Sequence, residues 1–430
     1  MSLTGTPFLY TLIVLAVLAV ALPLFLWTRL RGPRVLRGGV RFLMLLFAQG
    51  TAIALVFTLV NNSNNLYDNW SDLLGTGDHV SQARDLGASG TGGISVKKLP
   101  KVKQKFTEAT GPGMSAAGGV MQTELKGRVS GVTAEVYVWL PPQYNDPSLK
   151  NIHFPVVELL PGYPGSAKAW FGSLHAHEQL ATLMRQGKVA PFILVAPRTT
   201  LLAGVDTGCA NVPGTVNADT WLSVDVPKMV TDNFRALPAP RGWAVAGYSA
   251  GAHCATKLAI AHPDRYRAAV SLSGYNDPMG ERSSLTAQDP TLRHETNPYF
   301  MLQKAATPPA VALYQSGQPG DGYEAGLALK KEAKAPTVVD VVYIPKKVGG
   351  HNMKLWKPQV VPAFQWLTVQ MGLTNVSAGG GADDGAGGTT GTTGSGAGTT
   401  GSTEASGSTG TTGSRGTGTA GTRSSTPLGQ

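Results

Sequence analysis

The sequence predicts an α/β protein: a mainly parallel central sheet with helices on both faces, preceded by two apolar helices. Three observations predict it. Short β-rich runs alternate with helix-length segments through the middle of the chain. Two uncharged apolar stretches occupy residues 8–27 and 42–60. One Gly-x-Ser-x-Gly pentapeptide lies between a strand-like run and a helix-like run.

The apolar stretches come first. FLYTLIVLAVLAVALPLFLW and FLMLLFAQGTAIALVFTLV carry no charge. Each is about 20 residues, the length a helix needs to cross a roughly 30 Å hydrocarbon core. A cleaved signal peptide fits the first poorly. It exceeds the usual apolar length, lacks a basic segment before it and is followed by a second apolar segment. The connection TRLRGPRVLRGGVR holds Arg29, Arg31, Arg34, Arg37 and Arg41 and no acid. The positive-inside bias therefore predicts a multi-pass anchor in the cell membrane, with this connection cytoplasmic and everything after residue 60 extracytoplasmic. Much of the net charge of +10 belongs to this connection and to Lys97, Lys98, Lys101, Lys103 and Lys105. No aromatic interleaving or known module accompanies these residues, so a nucleic-acid partner is not expected.

Residues 61–117, rich in Gly, Ser, Asn and Lys, read as an extracytoplasmic stalk with one short helix around SDLLG. The globular domain is expected over 118–373. Its strand-like runs are TELKGRVSG, VTAEVYVWLPPQY, FPVVELLPGY, PFILVAP, GWAVAGYS, AAVSLSG, PAVALYQSG and VVDVVYIP. Helical segments alternate with them, from HEQLATLMRQGK to a final VVPAFQWLTVQMG. The span is large enough for a single core. Residues 374–430 are almost wholly Gly, Thr, Ser and Ala and have almost no apolar side chains to bury, which predicts a disordered tail. Cys209 and Cys254 are the two cysteines. An oxidising exterior permits a bridge between them, and two buried thiols are the alternative.

The chemistry concentrates at Gly247-Tyr248-Ser249-Ala250-Gly251, between WAVA and AHCATKLAIA. A serine on a sharp strand-to-helix turn projects its hydroxyl above a sheet, and its neighbours must lack bulk so that strand and helix can approach. This is the nucleophile context of an α/β-hydrolase fold. A serine hydroxyl needs a base. His351, in KKVGGHNMKLW, follows a strand and precedes the last helix, and Gly349 and Gly350 let the loop turn there. His253 lies on the elbow helix and reads as a packing or surface residue, and His262 in AHPDR as a helix cap. The acid that orients the base is expected at Asp321, just after AVALYQSG, with Glu324 and Asp277 as alternatives. The second oxyanion donor is expected on the loop Pro161-Gly162-Tyr163-Pro164-Gly165. The two prolines have no N–H, so the backbone of Tyr163 joins that of Ala250. Trp170 and Phe171 suit a pocket lining or the core equally. His175 and His177 lack a placed third ligand, so no metal is expected, and no cofactor.

VYVWLPPQY, PVVELLPGYPGS, GYSAGAHCA, HPDRY and GGHNMKLW together resemble the esterase D family, which includes the antigen 85 mycolyltransferases and many secreted actinobacterial esterases. The resemblance spans roughly residues 118–370. It extends to DTGCANVPGTVNADTWLSVDV and departs at the loop, where PGY stands in place of the HG or DG of many members. It implies Ser249 as nucleophile, His351 as base, and Ala250 and Tyr163 as oxyanion donors. The expected function is a serine esterase acting on carboxylic esters, its substrate an ester of an envelope lipid or glycan. The alternatives are an acyltransferase and a non-catalytic envelope protein on the same scaffold.

Overall fold

The computed structural model describes residues 1–77, 79–81, 83–87 and 89–373. The tail expected over 374–430 lies outside them.

Helices α1 (Thr6–Leu26) and α2 (Arg34–Asn64) pack against each other, and each is long and apolar enough to cross a membrane. α2 begins earlier than hydropathy predicts. The expected span 42–60 lies within it, but Arg34, Arg37 and Arg41 occupy its first turns and not an open connection. At 1.5 Å per residue its 31 residues extend about 46 Å. That exceeds a hydrocarbon core of about 30 Å, so basic turns can continue the helix beyond its apolar stretch. Arg41 folds back on the preceding turn: Nη2 donates to the Trp27 carbonyl at 2.8 Å and the guanidinium stacks over the indole at 4.7 Å.

The segment 61–117 departs furthest from expectation. The short helix around SDLLG is present as α3 (Trp70–Leu74), capped by the Asn69 side chain, which accepts from the Asp72 N–H at 2.9 Å. Its neighbours, however, are bonded into the α/β domain, unlike a stalk. Asp72 pairs with Arg198 at 2.9 Å, and Arg198 also donates to Glu135 at 2.6 Å. Asp68 pairs with Lys168 at 3.5 Å. Thr107–Glu108 forms β1 of the central sheet, ahead of the expected domain start at 118.

Among the described residues the sheet continues with β2 (Met121–Lys126), β3 (Thr133–Trp139), β4 (Val156–Leu160), β5 (Ile193–Pro197), β6 (Trp243–Tyr248), β7 (Ala268–Leu272), β8 (Ala312–Gly317) and β9 (Val338–Tyr343). The spatial order is β1-β2-β3-β5-β4-β6-β7-β8-β9. β1, β2, β3 and β5 pair antiparallel in turn, and every pairing from β5 to β9 is parallel. The central strands are apolar on both faces because helices cover both. Val157 and Leu159 of β4 join one cluster with α4 (Ala176–Arg185) and α8 (Val360–Gln370). Val156 and Leu160 join the other with α5 (Val226–Asn233), α6 (Ala250–Ala261) and α7 (Tyr323–Glu332). Trp170 and Phe171 are buried in the first cluster, so they belong to the core. A disulfide joins Cys209 to Cys254 with Cα atoms 5.7 Å apart, tying the loop before α5 to α6.

The parallel pairings fix where function can sit. Leu160 lies opposite Gly247, Tyr248 opposite Leu272, Leu272 opposite Ser316 and Gly317 opposite Tyr343. The C-terminal ends of β4, β6, β7, β8 and β9 therefore share one edge, and the loops that leave them converge there.

Candidate active site

Ser249 follows β6 directly and caps α6, with φ 56° and ψ −125°. For a residue with a side chain this left-handed backbone is strained. The neighbours hold it. A Cβ at Gly247 would lie 2.0 Å from the Gly251 carbonyl oxygen, and one at Gly251 would lie 2.3 Å from the Leu160 carbonyl oxygen. Backbone oxygens cannot give way by that much, so both glycines are required for strand, turn and helix to close together. The Ser249 N–H donates to the Leu272 carbonyl at 3.0 Å, which pins the turn to β7.

Three sequence-predicted residues meet at this edge. His351 Nε2 lies 2.7 Å from Ser249 Oγ, and its Nδ1 lies 2.8 Å from Asp321 Oδ1. An ionised carboxylate only accepts, so the imidazole proton sits on Nδ1 and Nε2 is left to accept the serine hydroxyl proton. Asp321 stands in a tight turn after β8, where Asp321 and Gln318 exchange backbone hydrogen bonds at 2.8 and 3.0 Å. Gly322, at φ 93°, brings that turn against β7: a Cβ there would lie 2.8 Å from the Ser273 Cα. The other two acids are engaged elsewhere. Glu324 accepts from the Gly320 N–H at 2.8 Å, and Asp277 accepts from Arg293 Nε at 2.7 Å and from the Met279 N–H at 3.0 Å.

The loop after β4 reaches the serine from the other side. A Cβ on Gly162 would stand 3.0 Å from Ser249 Cβ and 3.1 Å from the Tyr248 ring, so glycine allows the loop to lie against the nucleophile turn. The Tyr163 N–H makes no backbone hydrogen bond among the described residues. Ala250 is the first residue of α6, and an N–H at that position has no intrahelical partner. The Ala250 N–H thus adjoins Ser249 at a helix N-terminus, where the helix dipole also favours negative charge, and the loop that carries the Tyr163 N–H lies against the same turn.

Aromatic rings brace His351, a feature that the sequence reading missed. The Trp356 indole meets the His351 ring edge-on at 4.8 Å and stacks on Tyr248 at 4.6 Å. The signal available was an aromatic residue one helical turn past the base loop. The remaining histidines have other work. His253 is buried, donates from Nδ1 to the Tyr275 carbonyl (2.9 Å), and stacks on the Tyr275 ring; burial lowers its pKa to about 4. His262 is not simply a helix cap. It pairs with buried Asp219 at 2.7 Å, and Lys257 pairs with the same carboxylate. Burial alone would raise the Asp219 pKa, but Lys257 and His262 together hold it well below the usual carboxylate range. His177 is buried against Trp139 and Phe171 with Nε2 at the Gly113 carbonyl, and His175 pairs with Glu178. Among the described residues no group of three or more His, Cys, Asp or Glu is arranged to hold a metal ion.

Beneath the site, Glu158 is fully buried in β4, where it accepts from the Tyr266 hydroxyl at 2.8 Å. Its second oxygen has no partner among the described residues, and burial pushes its pKa up to about 8.

Comparison with known proteins gives the family and the fold. The Esterase family model, described as "Putative esterase", matches residues 130–367, more than half of the chain. An uncharacterized protein of Corynebacterium glutamicum is 26% identical over 295 residues, which cover 62% of this chain and 66% of that protein. The chain thus spans just under two thirds of that relative's length. A solved ferulic acid esterase aligns with TM-score 0.50 at 18% identity, covering 59% of this chain and 98% of its own. An S-formylglutathione hydrolase from Agrobacterium tumefaciens aligns with TM-score 0.47 at 14% identity, covering 63% and 100%. The first of these structural matches carries the fold, and the fold is that of the α/β-hydrolases.

Proposed function

This chain belongs to the esterase family, and from that premise we propose that it is a carboxylic ester hydrolase, a membrane-anchored serine esterase working through Ser249, His351 and Asp321 outside the membrane. The observation that carries the reading is the unbroken chain Ser249 Oγ, His351 Nε2, His351 Nδ1, Asp321 Oδ1, with links of 2.7 and 2.8 Å. Ser249 Oγ attacks the ester carbonyl carbon while its proton passes to His351 Nε2. Asp321 holds the imidazole tautomer and stabilises the imidazolium that forms. The carbonyl oxygen becomes an oxyanion facing the N–H groups of Ala250 and Tyr163. Collapse of the tetrahedral species breaks the ester C–O bond, and the alcohol leaves with the proton from Nε2. A water molecule then gives a proton to Nε2 and attacks the acyl-enzyme, and the carboxylic acid departs as Ser249 recovers its proton.

Hydrolysis is favoured over transfer because the His351 side chain is 47% exposed, so water reaches the base. Two apolar helices with five arginines between residues 29 and 41 support anchoring with the domain outside, and the Cys209–Cys254 bridge suits an oxidising compartment. The motifs shared with the esterase D and antigen 85 group suggest an envelope lipid or glycan ester as substrate. The test is hydrolysis of a short-chain nitrophenyl ester by the purified full-length protein in detergent. Ser249→Ala is expected to lower kcat on the order of a million-fold, and unchanged turnover sinks the assignment. Labelling of Ser249 by a fluorophosphonate probe separates this reading from a non-catalytic scaffold.

A further inference from the structure

We propose that Asn65, at the end of the second apolar helix, is a positioning residue for the loop that carries the Tyr163 oxyanion donor. The anchor is then part of the active-site framework as well as a tether. The inference rests on the reading of Ser249 and Tyr163 given above.

Asn65 caps α2 in the left-handed conformation, φ 50° and ψ 56°, and is buried. Asparagine tolerates that backbone better than most residues. The reversal sends its groups into the α/β domain. The Asn65 carbonyl accepts from the Ser166 N–H at 2.9 Å, and its side-chain amide donates to Ser173 Oγ at 2.7 Å. Ser173 Oγ in turn donates to the carbonyl of Ser63, on the last turn of α2, at 2.9 Å. The fit is close, for a Cβ on Gly172 would lie 2.9 Å from the Asn65 amide nitrogen. Three residues on, Asp68 accepts from the Ser166 hydroxyl and pairs with Lys168.

These bonds fix one end of a very short loop. Its other end is fixed by Gly162, packed against Ser249 and the Tyr248 ring. Only Tyr163, Pro164 and Gly165 stand between Gly162 and Ser166. Tyr163 to Ser166 also line a cavity of about 370 Å³, together with Tyr67, Ser71 and Leu74. Solid packing therefore does not brace the loop on its cavity side. The polar links to Asn65 and Asp68 take that part, beside a long hydrogen bond from Thr200 Oγ1 to the Gly165 carbonyl at 3.5 Å, and a donor displaced by about 1 Å loses much of its effect on a developing oxyanion.

The test uses full-length protein in nanodiscs and a nitrophenyl ester. Asn65→Gly keeps the left-handed backbone and removes the amide donor. Asn65→Gly with Asp68→Ala also removes the acceptor of the Ser166 hydroxyl. The double variant is expected to lose about ten- to a hundred-fold in kcat with KM within about three-fold. Affinity for an aryl trifluoromethyl ketone, whose serine adduct carries an oxyanion, is expected to fall by a similar factor. A merely tethering role predicts a lower melting temperature with kcat and ketone affinity at wild-type values, and that result overturns the inference. If the double variant does not fold, Asn65→Gly alone decides by the same two readouts. Full activity in Ser249→Ala overturns the underlying reading and the inference with it. An inactive Ser249→Ala beside a double variant of wild-type kcat overturns the inference alone.

Discussion

Replacing Glu158 by glutamine changes how stability depends on pH, and the structure sets both sign and size. The carboxyl is fully buried in β4, with one hydrogen-bond donor on one oxygen and none on the other. Its pKa is about 8 in the folded protein, against an ordinary 4.5. Between those values the folded state holds a proton that the unfolded state has released. Stability therefore falls as pH rises through this window, by up to about 1.4 kcal/mol per pH unit. The whole contribution is present below pH 4.5 and is lost once pH passes about 8, a difference on the order of 5 kcal/mol. Glutamine has nearly the same shape, can still accept from Tyr266, and does not titrate. The assay is thermal unfolding of wild type and Glu158→Gln in the same detergent from pH 5 to 8.5. For a domain of this size 1 kcal/mol moves Tm by roughly 2–4 °C, so the variant should gain about 10 °C on the wild type across the range. Buried Asp206, with a pKa raised to about 6, titrates equally in both proteins and cancels in the difference. A Tm difference that stays constant with pH would refute the assignment of a protonated carboxyl beneath the site.

Further outcomes follow from the same geometry. Asp321→Asn is expected to lower kcat by about four orders of magnitude, because an amide no longer selects the correct imidazole tautomer. Glu324→Gln and Asp277→Asn should each stay within a few-fold in the same ester assay, since those side chains bond to Gly320 and to Arg293. Gly251→Ala places a Cβ 2.3 Å from a backbone oxygen. It is expected to abolish turnover and lower the yield of folded protein, read by activity and by thermal melts. Opening the Cys209–Cys254 bridge, which closes a loop with a sequence separation of 45, is expected to reduce stability by about 4 kcal/mol on the chain-entropy estimate, measured by denaturant unfolding with and without reductant.

The parts of this molecule that were legible in the sequence are those that local pattern encodes. Strand and helix periodicity placed β2 to β9 and the helices between them, because burial on both sheet faces leaves continuous apolar runs. The serine, base and acid each follow a strand, and parallel pairing brings strand ends to one edge whatever the loops contain. The acid was the least determined of the three. Asp321, Glu324 and Asp277 all follow strands, and only the side-chain bonds separate them. Partners far apart in the chain left no comparable trace. Asp219 and Lys257 carry no local signal, His262 reads as a helix cap, and Glu158 is one acid within an apolar run. Arg34, Arg37 and Arg41 count the same by charge whether in a loop or on a helix. Only the structure places them on the first turns of α2.

Composition misled most over 61–117. Abundant Gly, Ser and Asn means few local elements, and the elements there are indeed short. It does not mean an independent tether, because those residues are good hydrogen-bonding partners for another part of the chain. Asn65, Asp68 and Asp72 engage Ser166, Lys168, Ser173 and Arg198, all more than 95 positions away. A flexible stalk would make helices α1 and α2 energetically irrelevant to the chemistry proposed at Ser249. Direct bonds have the opposite consequence. Any displacement at the end of α2 is transmitted through Ser166 to a loop that is only three residues from Gly162, and Gly162 touches the nucleophile turn. The same loop must stay fixed while charge builds on the substrate oxygen, since a donor that yields at that moment stabilises nothing. A rigid helix end is a better brace for such a loop than a solvated chain, and this gives a physical reason for the polar residues of 65–72 to be bonded where they are.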